Sequence, residues 1–183
     1  KSILIVGAGF GQVPAIEASK KIGIESIVVD KNPYAIGSKI ADIFYNIDVI
    51  DKEGVLAIAK KHNVSGVMTM QSDLPVPTIG YINDELNLNG VSFQVANFCS
   101  NKLETRKRLE NKSSQPKFEI ISSLDEAFIA IEKIGFPCVI KAPDSSGSRG
   151  VTKVSNNEEI EKAYYEAFKF SRQSSILIEE FVE

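Results

Sequence analysis

Short, continuously apolar runs alternate with helical stripes through the first half of the chain. Ile3-Leu4-Ile5-Val6 is uninterrupted, as expected of a strand buried on both faces. Gly7-Ala8-Gly9-Phe10-Gly11 follows as a turn. Val13, Ile16 and Ile22 then recur at helical spacing, with Pro14 confining the helix start to its neighbourhood and Gly23 placed as a C-cap. Ile27-Val28-Val29-Asp30 predicts a second strand ending in a carboxylate. A weaker strand over 44–49, a helix over 53–62, a strand over 66–70 and a helix lined by Ile79, Ile82 and Leu86 continue the alternation. Strands and helices at this spacing predict an α/β fold with a doubly wound, mostly parallel sheet covered on both faces.

The rhythm changes near residue 97. Asn101 precedes a charged helix over 102–110, and 111–115 is polar and loop-like. The pattern then predicts strand 118–121, helix 125–134, strand 138–142, strand 150–154, helix 158–170 and strand 176–182. Ser123 with Glu126, and Ser155 with Glu158, have the spacing of capping boxes, while Gly135 and Pro137 punctuate a helix end. The expected organisation is a domain over 1–98, a linking helix and loop over 99–115, and a small α+β unit over 116–183. The last strand has no turn or helix behind it, which predicts that the sequence is cut from a longer chain.

Composition narrows the classes. The 183 residues are 43% hydrophobic and 25% charged, an ordinary globular balance. A net charge of −3 gives no footprint for a nucleic-acid partner. No run of eighteen apolar residues is present, so no membrane span is expected and the location reads as cytoplasmic. Cys99 and Cys138 read as reduced core thiols without a metal. His62, at a helix end, reads as a surface or C-capping residue.

The candidate chemistry centres on Cys138-Val139-Ile140-Lys141-Ala142-Pro143-Asp144-Ser145-Ser146-Gly147-Ser148-Arg149-Gly150-Val151. A lysine at a strand exit is a compact charge, and a Gly/Ser loop offers backbone N–H groups, a combination suited to phosphate. It is not the common phosphate loop, whose Gly-x-x-x-x-Gly-Lys-Ser/Thr string is missing. A surface hairpin would have the same composition, with an Asp144–Arg149 pair tying it together. Lys141 interrupts an apolar run, and lysine is seldom buried without a partner, so an anion or carboxylate beside it is expected. Lys102, in a charged helix, has solvent as its default. Gly7-x-Gly9 with Asp30 is half of a dinucleotide fingerprint, but Gln12 stands where the third glycine belongs. Asp30 could accept from a ribose or a hydroxylated substrate. Ser72 and Asp73 stand after a strand, where they serve either a ligand or the cap of the next helix.

In combination these strings resemble the ATP-grasp superfamily, closest to its biotin-carboxylase-like and carbamoyl-phosphate-synthase-like ligases. The resemblance rests on Gly7–Gly11, Asp30, Pro33 and Met70-Gln71-Ser72-Asp73 in the first part. Asn101-Lys102, Lys141-Ala142-Pro143, the 146–151 loop and Glu179-Glu180-Phe181-Val182 then follow in the family's order. It implies a Rossmann-like pre-ATP-grasp domain, then an ATP-grasp lid ending at the hinge strand. It also implies that Lys102 touches ATP phosphate and that Lys141 reaches phosphate and the adenine edge. Ser146, Gly147, Ser148, Arg149 and Gly150 would close over the β- and γ-phosphates. The Glu180 carbonyl would accept from the adenine amino group and the Val182 N–H would donate to the ring, with Glu179 at the same edge. Gly9, Asp30, Ser72 and Asp73 are the substrate-side candidates. Ala142 departs from the Lys-Pro common in members.

The implied reaction activates a small-molecule carboxylate as an acylphosphate for attack by an amine or similar nucleophile. ATP and Mg²⁺ are the implied cofactors, with metal ligands and catalytic residues expected beyond residue 183, and a homodimer is left open. A dinucleotide-binding oxidoreductase, resting on Gly7, Gly9 and Asp30, and a non-catalytic nucleotide-binding scaffold are the alternatives.

Overall fold

A computed structural model describes residues 1–110, 112 and 115–182. The chain divides into two compact units, Lys1–Ser100 and Asn101–Glu183.

The first unit is built on a parallel sheet of β1 (Ser2–Val6), β2 (Glu25–Asp30), β3 (Ile43–Asn46) and β4 (Val67–Met68), in the order β3-β2-β1-β4. Alternate residues of the apolar strands feed two separate cores. Leu4, Val6, Ile27 and Val29 pack on one face with Val55, Leu56, Ile79 and Ile82. Ile5 and Val28 pack on the other with Ala15 and Ile16. This is why the strands read as unbroken apolar runs: each buries both sides.

Helices α1 (Val13–Lys21), α2 (Lys52–Lys61) and α3 (Val76–Leu86) cover the faces. Ile22, expected in the stripe of α1, is its C-cap and 71% exposed, because the helix ends one residue too early to turn it inward. His62 caps α2, and its Nε2 lies 2.9 Å from the Tyr45 hydroxyl. Strand β4 is shorter than the 66–70 run. Its continuation leaves the ladder and reaches Gln71 at a φ of 53°. Helix α4 (Phe93–Ser100) has no strong apolar period and was not anticipated. It approaches α3 through small residues: a Cβ on Gly80 would lie 2.7 Å from the Ala96 Cβ.

The second unit is an antiparallel sheet of β5 (Phe118–Ile121), β6 (Cys138–Lys141), β7 (Val151–Val154) and β8 (Ile176–Glu180), in the order β5-β8-β6-β7. Helices α6 (Leu124–Ile134) and α7 (Ile160–Phe170) share one core with Ile121, Cys138, Ile140, Val154, Ile176 and Ile178. Those strand residues therefore face the helices, and alternation turns Val139, Lys141, Leu177 and Glu179 to the opposite face.

Helix α5 (Lys102–Leu109), expected in a linker over 99–115, falls within this unit. Of the 111–115 loop, residues 111, 113 and 114 lie outside the described residues. Ser123 caps α6 through the Glu126 N–H, but the Glu126 carboxylate reaches the Ser122 N–H rather than that of Ser123. At the second expected capping box the roles shift by one. Asn156 accepts from the Glu158 N–H, and Glu159 accepts from the Ser155 N–H.

Of the two thiols, Cys138 is buried and Cys99 is exposed, so only one is a core thiol. Burial alone pushes the Cys138 thiol up to about 11. Among the described residues no helix is long and apolar enough to cross a membrane.

Candidate functional site

The second unit gathers the phosphate-suited residues. Lys141 closes β6 and Glu179 lies near the end of β8, on the same sheet face. In the register Val139 opposes Glu179 and Lys141 opposes Leu177, which makes Lys141 and Glu179 diagonal neighbours across the ladder. The Lys141 Nζ donates to Glu179 Oε2 at 2.5 Å. Arg106, from α5, closes on the same carboxylate with both arms of its fork: Nε to Oε1 at 2.7 Å and Nη2 to Oε2 at 3.1 Å.

Glu179 is only 4% exposed. Burial pushes its carboxyl up, but the hydrogen bonds from Arg106 and Lys141, with their charges, outweigh burial and hold it below the ordinary glutamate range. Two cations share one anion, so the cluster carries one positive charge in excess.

Lys102 and Arg106 are one helical turn apart and point the same way from α5. Asn101 caps this helix, accepting from the Leu103 and Glu104 N–H groups. The Lys102 N–H donates to the Pro143 carbonyl at 2.8 Å, and its Nζ donates to the Ser145 carbonyl. Solvent, its default, is not where this side chain goes.

The loop that follows Lys141 contains Gly147, Ser148 and Gly150, all at positive φ. Gly150 needs its hydrogen twice over, because a Cβ there would lie 2.9 Å from the Phe170 Cβ. The expected Asp144–Arg149 pair does not form. Asp144 accepts from the Arg172 N–H, and Arg149 Nε donates to the Ser146 carbonyl at 3.1 Å. Side chains thus occupy loop carbonyls. Among the described residues the backbone N–H groups of Ser146, Gly147 and Ser148 donate to no protein acceptor. Consecutive backbone N–H groups left unspent are suited to binding an anion.

At the strand exit, Glu180 Oε1 accepts from the Lys117 N–H at 2.9 Å, Phe181 lies under the Lys153 ammonium at 3.7 Å, and Val182 is 66% exposed. Arg106 had no place in the sequence reading. Its spacing of four from Lys102 was the available signal.

The first unit treats its own glycine loop differently. The Gly7 N–H donates to the Val29 carbonyl, the Ala8 N–H to Asp30 Oδ2, and the Gly9 N–H to Gln12 Oε1. Gln12, where the fingerprint wants glycine, is buried, and its amide also donates to the Met70 carbonyl. It plugs the β1–β4 switch point of the sheet, where a dinucleotide pyrophosphate would approach. The second oxygen of Asp30 accepts from the Asn32 N–H. The dinucleotide reading is corrected by these contacts, since the donors that pyrophosphate would need are spent.

Ser72 and Asp73 do not cap α3 with a side chain, against the capping expectation; Pro75 holds that place. Among the described residues no group of three or more His, Cys, Asp or Glu could hold a metal ion.

Residues 101–183 match the family model described as "Carbamoyl-phosphate synthase L chain, ATP binding domain". The formate-dependent phosphoribosylglycinamide formyltransferase of Sulfurisphaera tokodaii is 28% identical over 188 residues, covering 100% of this chain and 47% of its own length. The N5-carboxyaminoimidazole synthetase of Staphylococcus aureus, solved with ADP, superposes with a TM-score of 0.79 at 15% identity over 100% of this chain and 48% of its own. The biotin carboxylase domain dimer of the Hydrogenobacter thermophilus 2-oxoglutarate carboxylase was solved with MgADP and bicarbonate. It gives a TM-score of 0.77 at 22% identity, over 100% of this chain and 44% of its own. The two structural likenesses are of fold. The chain spans about half the length of the curated relatives it matches. The family match thus covers the second unit, and over the whole chain the likeness to these structures is one of fold.

Proposed function

We propose that the chain is the amino-terminal part of an ATP-dependent ligase that activates a small-molecule carboxylate as an acylphosphate for attack by an amine or similar nucleophile. The observation that carries the reading is the excess positive charge at Arg106, Glu179 and Lys141, beside a loop with three N–H groups unspent among the described residues. A carboxylate oxygen is a poor leaving group, and phosphorylation makes it a good one. Catalysis of such a transfer consists largely of positioning and neutralising phosphate charge.

In this reading the first unit is the domain that precedes the ATP-binding module, and the second is the lid with its hinge strand. Lys102 and Lys141 hold phosphate oxygens. The loop over Ser146, Gly147, Ser148, Arg149 and Gly150 closes over the terminal phosphates and excludes water, which protects a hydrolysable intermediate. Glu180 and Val182 offer backbone groups to the adenine edge. Gly9, Asp30, Ser72 and Asp73 belong to the substrate side, where Asp30 keeps lone pairs beyond the two contacts it makes.

Mg²⁺ accompanies ADP in the Hydrogenobacter thermophilus structure. The described residues do not supply a fitting ligand set, so no step here is assigned to the metal.

Calorimetric titration of the full-length protein with ATP and with NAD, each with and without Mg²⁺, tests the reading. ATP binding that saturates, with no NAD response, is expected. NAD binding without ATP binding would overturn it.

A further inference from the structure

We infer that Arg106 is a positioning residue for the nucleotide phosphates, acting through Glu179 on Lys141; the inference rests on the ATP reading above. Three features of the chain point to it. First, Arg106 grips Glu179 with two nitrogens on two oxygens, a planar fork-on-fork contact that fixes the plane of the carboxylate. Second, Glu179 is buried, and the oxygen it shares with Lys141 is one of the two gripped by Arg106. The direction in which Glu179 presents itself to the Lys141 ammonium is therefore set from α5. Third, the charges do not balance.

A lysine paired one-to-one with a buried glutamate is neutralised and has little left for a phosphate. Arg106 takes up part of the carboxylate's charge and returns a net positive charge to the cluster. That charge falls on Lys141, at the strand exit where the glycine loop begins. Arg106 itself is 22% exposed, and both arms of its fork are spent on Glu179. Its influence on phosphate thus passes through Glu179.

This assigns α5 a second task. Lys102 at its start meets the loop and Arg106 one turn later meets the sheet, so one helix sets the direction of both lysines. The guanidinium is the suitable group, because an ammonium at the same place cannot grip two oxygens in one plane.

The test is the ATP dissociation constant of the full-length protein, measured well below the melting transition. The set is wild type, Arg106→Lys, Arg106→Met, Lys141→Ala and the double variant Arg106→Met/Lys141→Ala. Arg106→Lys keeps the charge and the fold, and is expected to weaken ATP binding about tenfold, the scale of one charged hydrogen bond. Arg106→Met is expected to weaken it at least as much. In the Lys141→Ala background it should add less than about twofold, since its route to phosphate is gone. A merely structural Arg106 would lower the melting temperature and leave the affinity of the folded protein untouched. Wild-type affinity in Arg106→Lys, or full additivity in the double variant, would overturn the inference while leaving the ATP reading in place. A wild-type protein indifferent to ATP would remove both.

Discussion

Two glycine loops, one in each unit, look alike as strings and differ in what they have left to offer. Both follow an apolar strand, and both present backbone N–H groups. In the 7–11 loop the N–H groups of Gly7, Ala8 and Gly9 are bound to Val29, Asp30 and Gln12. In the loop after Lys141, basic side chains bind carbonyls instead, and three consecutive N–H groups have no acceptor among the described residues. The lesson is that a glycine loop binds phosphate by the donors it has not already spent. In the first unit the Val29 carbonyl and the Asp30 and Gln12 side chains supply the acceptors that a ligand would otherwise provide.

The sharpest way to break the contrast is to remove the anion at the centre of the second site. Glu179→Ala leaves Arg106 and Lys141 facing each other in a buried place. Breaking a buried pair in this way is expected to cost about 3–5 kcal/mol of stability, read by chemical denaturation. The same carboxylate gives a pH signature. Its folded pKa is depressed, so its contribution is complete above the unfolded glutamate value of 4.5 and is lost as pH falls through the lower folded value. Wild type should therefore lose stability in acid more steeply than Glu179→Gln. Parallel acid profiles would show that the ion cluster does not stabilise the fold.

Lys141→Ala tests the site without breaking it, since Glu179 keeps Arg106. The expected outcome is ATP affinity weakened by at least about tenfold, with a melting loss smaller than that of Glu179→Ala because Arg106 still pairs the carboxylate. A large melting loss with ATP affinity intact would make Lys141 a structural ion-pair partner instead.

Gln12→Ala probes the other loop. It orphans the Gly9 N–H and the Met70 carbonyl, at an expected cost of about 1–3 kcal/mol, and should leave ATP affinity unchanged. A gain of NAD binding in that variant would sharpen the contrast further, as it would show the plug to be the sole obstacle. The smallest effect is expected at Gly147. A Cβ there meets nothing within 4 Å, but the φ of 67° remains unfavourable for alanine. Gly147→Ala should cost roughly 1–2 kcal/mol in the loop conformation, visible as a modest rise in the ATP dissociation constant.

Many strands and helices were legible because each writes a local signal: unbroken apolar runs for β1 and β2, apolar stripes for α1 and α3, and the Ser123 cap for α6. Lys141 was legible too, as a charge at the end of an apolar strand that had to meet a counter-ion. Helix α4 was not, because it packs through Ala96 against Gly80, and small residues leave no strong hydrophobic period. The cap of the segment before α7 shifted from Ser155 to Asn156 because neighbouring polar residues offer equivalent oxygens, and the backbone path selects between them. The Asp144–Arg149 pair was plausible by proximity alone, yet Asp144 found the Arg172 N–H, 28 positions away.

By itself the sequence determined the mostly parallel first half, the α+β second half, the lysine at the strand exit and the glycine loops, since these follow from periodicity and from glycine's freedom at positive φ. Only the tertiary structure decided which loop keeps its donors, and that Arg106 and Lys141 share Glu179. Arg106 and Glu179 stand 73 positions apart. Their pairing comes from the direction in which α5 and β8 bring two side chains together, a geometry no local pattern records.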